Sequence, residues 1–482
     1  MSILVVDVGT SGVRAAVVRP DASVTHVHHR QVLPVSPAPG LVEFDPTVMA
    51  EAALEVARRS LSEGGPVDAV GIANQRASTV VWDRNTGRPV APGQGWQDLR
   101  TVGACLVLRE QGLRFAPNMS ATKLLDILDQ VDPDRKADLC FGTVDSWIAW
   151  VLSDGALHIT DPSNAGTTGL MQTDGRGWDA AVLEALRVSP ASMPALVDST
   201  GSFGPATALD GAPPIAGLIG DQQASLVGQG CTHPGLAKAT FGTGGMLDVC
   251  TGTERPAFSH RGQAGTFPIA AWRRNGRISW GMEAIMLSAG SAVEWLRDDL
   301  GIIATAEESD ALAASVPDTG DVWFVPALLG IGTPVWDFGA RGTLLGLTRG
   351  SNRAHVVRAV LEGVAHRGAD LLEAAEADSG LGIPALRVDG GMSANTTFIR
   401  ALADATVRPI EVSPVLEATT LGAAFMAGLA VGTWADEDEL AATWSPREVV
   451  EPAPAAGSDR DRWLEARSRS LASIPELSGI DF

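Results

Sequence analysis

The sequence predicts an α/β protein of two large domains with a ligand cleft between them, and three observations carry that prediction. The chain has 482 residues, more than a single hydrophobic core usually organises. An apolar strand, a Gly-Thr turn and a returning strand occur at residues 3–18 and again at 236–252. Just ahead of the second copy, GLIGDQQASLVGQ (217–229) runs from an apolar strand into a carboxylate, Asp221, where a helix can begin. Ligands of open α/β sheets bind beyond the carboxyl ends of the strands, which puts Asp221 at the mouth of the expected cleft.

Taken in order, ILVVDVGTSGVRAAVV (3–18) is two apolar runs broken at Asp7-Val8-Gly9-Thr10-Ser11-Gly12, a hairpin by the turn rules. Residues 47–63 set Met49, Ala53, Val56, Ala57 and Leu61 at helical spacing, and 67–73 reads as a strand ending at Asn74-Gln75-Arg76. The strand TVVWD, the turn RNTGR and Gly95-Trp96-Gln97-Asp98 follow. Helices are expected over 123–131, 145–151 and 178–186, then a loop over 205–214 before the strand that delivers Asp221. LAKATF runs into Gly242-Thr243-Gly244-Gly245, and MLDVCT returns. Residues 283–300 are expected to be helical with Gly290 in the middle, where glycine lowers helix stability by about 1 kcal/mol relative to alanine and so implies a close approach. A long amphipathic helix is expected over 354–377. LRVDGG (386–391) is a strand breaking into a helix capped near Ser393 or Asn395. Residues 421–431 read as a buried helix, and PAPAAGSD (452–459) as a linker to a last helix around Trp463.

Composition narrows the function classes. A net charge of −21 with no Lys/Arg run disfavours a nucleic-acid partner. Met1-Ser2 leads directly into the strand ILVV, unlike a signal peptide, and the apolar stretch at 421–431 is shorter than the roughly 18 residues of a membrane span. Cys105, Cys140, Cys231 and Cys250 have neither metal nor disulfide spacing, and the eight histidines show no metal spacing, so a cytoplasmic location is expected.

The chemistry gathers at the turns. Glycine lets backbone N–H groups come close to a phosphate, and two such hairpins facing one cleft can hold a polyphosphate between them. The helix start after Gly391 is a third anion-friendly place. Each hairpin alone could be only a tight turn, Asp221 only a helix cap, Arg76 a solvated side chain and Trp96 a core aromatic. The duplication of the hairpins and the GDQQ context favour the functional reading.

The blocks DVGTSGVR, GIANQR, GWQDLRT, SATKLLDIL, FGTVDSWIAW, GDQQASLVGQ, ATFGTGG, PVWDFGARGTLLGLTRG, LRVDGGMSAN and TTLGAAFMAGLAVG together resemble the FGGY family of carbohydrate kinases, in particular its glycerol kinases, from Asp7 to about residue 440. The resemblance implies the actin-like ATPase fold, two ribonuclease-H-like domains closing on ATP, Mg²⁺ and a small polyol or sugar. It implies domains at 1–229 and 230–440, with a linker and helix at 441–482. Asp221 would be the general base and Gln222 would bind a neighbouring hydroxyl. Thr10, Ser11, Arg14 and Thr243 would face the phosphates, and Gly290, Glu294, Gly391 and Asn395 the nucleoside. Asp7, with Asp221, would hold the metal.

Arg76 and Trp96 match the substrate-binding pattern, but three positions depart from it. Ala77 stands where glycerol kinases carry Glu, Asn118 where they carry Tyr, and Met246 where they carry Phe; Asp126 also replaces a usual Trp. The expected acceptor pocket is therefore larger and less fitted to glycerol, because each lost hydrogen bond to a bound hydroxyl removes about 1 kcal/mol. Two alternatives stay open, a true glycerol kinase and a non-catalytic sugar or nucleotide sensor. A homo-oligomer is neither required nor excluded.

Overall fold

Two mixed sheets, each grown from one of the glycine hairpins, organise the chain in a computed structural model that describes residues 1–480 apart from 416, 455 and 458. In the first, Ile3–Val8 is antiparallel to Gly12–Val18 and parallel to Ala69–Asn74, itself parallel to Pro214–Gly220. Val24–Gln31 and Thr200–Pro205 form its edges. In the second, Ala237–Phe241 is antiparallel to Gly245–Gly252 and parallel to Leu386–Asp389, itself parallel to Ile410–Val412. Arg277–Met286 and Phe267–Arg274 extend one side and Glu448–Val450 the other. In both sheets the return strand of the hairpin gains a further antiparallel neighbour, and the first strand gains a parallel neighbour that itself pairs with a second parallel strand. The repeat read from two turns is thus a repeat of topology.

Helices cover the sheets where apolar periodicity predicts them, over Pro46–Gly64, Ser120–Val131, Val144–Leu152, Ala180–Ala185, Arg353–Ser379 and Thr396–Thr406. Asn395 caps the last of these by accepting from Phe398 N at 2.9 Å. The helix Ala418–Val431 leaves the second half and packs on the first. Its Gly422 lies against the Ala224 backbone of the helix Asp221–Gly228, while Gly71 and Gly217 of the first sheet lie against Ala423 and Ala427. A Cβ on Gly217 would stand 2.6 Å from Ala427 N, so these backbones touch only because the side chains are missing. The helix that begins at Asp221 is wedged between the two halves.

The helix expected over 283–300 forms only in its second part, from Gly290 to Asp299. Arg277–Met286 is a strand in which Met282, Ala284 and Met286 enter the core while Glu283 and Ile285 face the other side. Pairing with strands on both sides overrides the helix propensity of Glu, Ala and Met. The helix starts only at Gly290, runs to Glu294 and continues as one wider turn over Trp295–Asp299, so Gly290 is its first residue and not its middle. At the other end of the chain, the helix Arg460–Ser468 buries Trp463 against the ring of His366, and Trp463 Nε1 donates to Asp370 at 3.1 Å. Among the described residues no helix is long and apolar enough to cross a membrane.

Candidate active site

Gly220 ends a strand of the first sheet and Asp221 opens the next helix. A buried polar cluster fixes this turn: Gly220 N donates to Ser163 Oγ at 2.8 Å, and Ser163 Oγ donates to Asp161 at 2.7 Å. The Asp221 side chain remains 31 % exposed, with protein on most sides. Burial raises its carboxyl above the ordinary range, against the pull of Arg76. Arg76 Nε lies 3.4 Å from Asp221 Oδ1, and Arg76 Nη2 donates to Glu283 Oε2 at 2.6 Å. The guanidinium therefore sits between a carboxylate from each half of the molecule.

Gln222 is fixed in the same way. Its Oε1 accepts from Lys238 Nζ at 2.6 Å, and Lys238, fully buried, lies 2.7 Å from Asp248 and donates to Thr240 at 3.1 Å. Lys238, Asp248 and Glu283 stand opposite one another across three strands, forming a row of charge on the cleft side of the second sheet. Burial pushes Asp248 up to about 6, with Lys238 opposing and Glu283 adding to the shift.

On the first hairpin, Asp7 is paired in register with Arg14. Burial pushes its carboxyl up to about 7; Arg14 opposes the shift and the nearby Asp221 adds to it. Trp96 Nε1 donates to Thr10 Oγ1 at 3.2 Å, and Thr10 Oγ1 donates to Gln75 Oε1 at 3.4 Å. Trp96 is thereby fastened to the hairpin tip, beside exposed Ser11. Arg14 forms an ion pair with Glu417, the residue preceding the helix Ala418–Val431.

The second hairpin explains Gly290. Gly290 N donates to Gly242 O at 2.8 Å, and the N–H groups of Ala289 and Ser291 donate to Thr243 O at 2.9 and 3.1 Å. A Cβ on Gly290 would stand 2.6 Å from Gly242 O. The hairpin backbone itself makes the close approach, and it leaves the Thr243 side chain exposed. Gly391 is exposed, with open space where a side chain would be. Asn395 spends its oxygen on the helix cap and its Nδ2 on Ser309 Oγ at 3.0 Å, and Glu294 is exposed at the end of its short helix.

The three departing positions are less closely joined. Ala77 is buried next to Arg76 in a left-handed conformation, φ 62°, and its carbonyl accepts from Ser120 Oγ at 2.9 Å. Buried Lys123 donates to the carbonyls of Pro117 and Met119, bracing the segment that carries exposed Asn118. Met246 is half-buried two residues before Asp248 on the same strand, opposite Thr240 and Ile285.

These groups suit a polyphosphate and a hard cation. Asp7 and Asp221 are two carboxyls whose ionised forms are disfavoured by burial, with Arg14 and Arg76 opposing the shift and Asp221 adding to it at Asp7. No cluster of three or more His, Cys, Asp and Glu side chains able to hold a metal occurs among the described residues. Mg²⁺ is commonly bound through one or two carboxylates together with substrate phosphate oxygens. A cavity of about 520 Å³ opens elsewhere, lined by Arg176, Arg273 and Arg277, and shares no residue with this cleft. Sequence reasoning missed Lys238, Asp248, Glu283 and Glu417. For Lys238 and Asp248, the available signal was charge inside otherwise apolar strands, which is rarely tolerated unless paired.

The N-terminal domain of the FGGY family of carbohydrate kinases matches residues 2–228, and its C-terminal domain matches residues 237–431. A glycerol kinase of Trichlorobacter lovleyi is 42 % identical over 497 aligned residues, covering 99 % of each chain. Glycerol kinase 2 of Thermotoga maritima is 42 % identical, covering 97 % of this chain and 98 % of the relative. The crystal structure of Plasmodium falciparum glycerol kinase with ADP superposes with a TM-score of 0.90 at 27 % identity, covering 98 % of this chain and 99 % of that one. A xylulose kinase from Brucella ovis superposes with a TM-score of 0.86, also at 27 % identity, over the full length of both chains. The two hairpin-led sheets are those of the actin-like ATPase fold. The chain belongs to the FGGY family of carbohydrate kinases, enzymes that transfer phosphate from ATP with Mg²⁺.

Proposed function

We propose that this kinase phosphorylates a hydroxyl of a small polyol or sugar, and that its acceptor pocket has room beyond the three carbons of glycerol. The observation that carries the reading is the meeting of Asp221, Arg76 and Gln222 at the end of one strand, each held by a named partner. Asp221 takes the proton of the attacking hydroxyl. Its raised pKa makes it a better base than an ordinary carboxylate. The hydroxyl oxygen then bonds to the terminal phosphorus of ATP as the bond from that phosphorus to the bridging oxygen breaks, and ADP leaves. Arg76 and Gln222 donate hydrogen bonds to neighbouring oxygens of the acceptor and orient it, and orientation is most of what phosphoryl transfer asks of a protein. The N–H groups of the two hairpins, with Thr10 and Thr243, cradle the phosphates, and Gly391 and Asn395 border the nucleoside. Asp7 and Asp221 would hold Mg²⁺, which supplies charge neutralisation on the phosphate oxygens when bound.

The larger pocket rests on Ala77, Asn118 and Met246, which leave the acceptor fewer close polar and aromatic contacts. Glycerol itself is the second reading, favoured by the names of the full-length relatives. ADP release from ATP and Mg²⁺ with polyols and ketoses of three to six carbons separates the two. Preference for an acceptor of four to six carbons is expected; preference for glycerol would restore the second reading. ATP binding with no turnover on any acceptor would overturn both.

A further inference from the structure

We propose that Glu283 is a positioning residue for the acceptor, acting from the opposite half of the molecule through Arg76. The inference rests on the kinase reading above and extends it to a residue of the second sheet. Arg76 follows a strand of the first sheet, whereas Glu283 belongs to a strand of the second, paired through Asp248 to Lys238. Both side chains of the pair are nearly buried, 11 % exposed for Arg76 and 8 % for Glu283.

The two carboxylates on Arg76 are unequal. Glu283 accepts from Nη2 at 2.6 Å, a short charge-assisted hydrogen bond, whereas Asp221 lies 3.4 Å from Nε, beyond a good one. Among the described residues no hydrogen bond engages Nη1. Glu283 therefore does two things. It turns the planar fork so that Nη1 is left for an oxygen of the acceptor. It also keeps the guanidinium from closing on Asp221 as a two-point ion pair, which would occupy the carboxylate that must accept the proton. Because Arg76 and Glu283 come from different halves, the donor is correctly set only when the halves are together, so acceptor binding and cleft closure share this contact.

A purely structural interdomain ion pair would make the same contact, so the test needs a readout that stability alone does not move. In the full-length protein, Glu283→Ala should raise the acceptor KM by about tenfold or more and lower kcat, as expected when a substrate contact shifts by an ångström, with the KM for ATP within about twofold of the parent. Glu283→Gln keeps an acceptor oxygen for Nη2 and should recover most of the acceptor KM. In crystals of Glu283→Ala the Arg76 guanidinium should lie against Asp221. An acceptor KM unchanged in Glu283→Ala, or acceptor and ATP KM values rising together, would overturn the proposal while leaving the kinase reading intact. An Arg76 side chain unmoved in the crystal would overturn it as well. If the parent protein turned over no acceptor, the kinase reading would fall, and the crystal comparison would still decide whether Glu283 sets Arg76.

Discussion

Burial raises the carboxyls of both Asp7 and Asp221, and Asp221 adds to the shift at Asp7, which gives the site a pH signature. The folded state raises the Asp7 carboxyl from 3.8 to about 7. A group with a raised folded pKa holds its proton more tightly when folded, so its stabilising contribution is full below about pH 4 and is lost as the pH climbs through about 7. In protein free of nucleotide and Mg²⁺, the melting temperature should therefore decline from about pH 4 to about pH 7, and Asp7→Asn should flatten the decline. Equal slopes in the two proteins would contradict the assignment. Added Mg²⁺ should recover stability at the upper end of the range in the parent and much less in Asp7→Asn.

Among elements, the second hairpin and the short helix beginning at Gly290 form one unit, because three successive N–H groups, from Ala289 to Ser291, donate to the hairpin carbonyls. Gly290→Ala would force a methyl to 2.6 Å from Gly242 O, and overpacking of this kind typically destabilises by about 1–3 kcal/mol. The KM for ATP should rise more than the acceptor KM if this hairpin holds the phosphates as proposed, since the hairpin moves and Asp221 does not; the reverse order would count against a nucleotide role for it. The same region shows what the sequence could and could not reveal. Both hairpins were legible because a Gly-Thr turn between apolar runs has few other conformations. The closeness implied by Gly290 was legible too, but not its cause. The strand Arg277–Met286 was not legible, because Glu283, Ala284 and Met286 favour a helix locally and only pairing on both sides makes them a strand. With that strand misread, Glu283 could not be seen to face Arg76. Lys238 and Asp248 carried a signal, charges inside the apolar strands that flank the hairpin, yet their partner Gln222 became evident only in three dimensions.

At the scale of the whole molecule, function follows from duplication with a cleft between the copies. One sheet delivers Asp221, Arg76 and the first hairpin; the other delivers the second hairpin and the row Lys238, Asp248 and Glu283. The helix Ala418–Val431 crosses from the second half to pack on the helix that starts at Asp221, so Asp221 sits where the halves meet. Arg14 on the first hairpin reaches Glu417 at the start of that same helix, a second tie between the halves. The most direct measurement is ADP release by the parent and by Asp221→Asn with the preferred acceptor, alongside the ATP affinity of each. The asparagine keeps the size of the side chain but cannot take the proton, so turnover should fall by about 10²–10⁴-fold with ATP affinity unchanged. Turnover within a few-fold of the parent would contradict the placement of the catalytic base at the end of the Pro214–Gly220 strand.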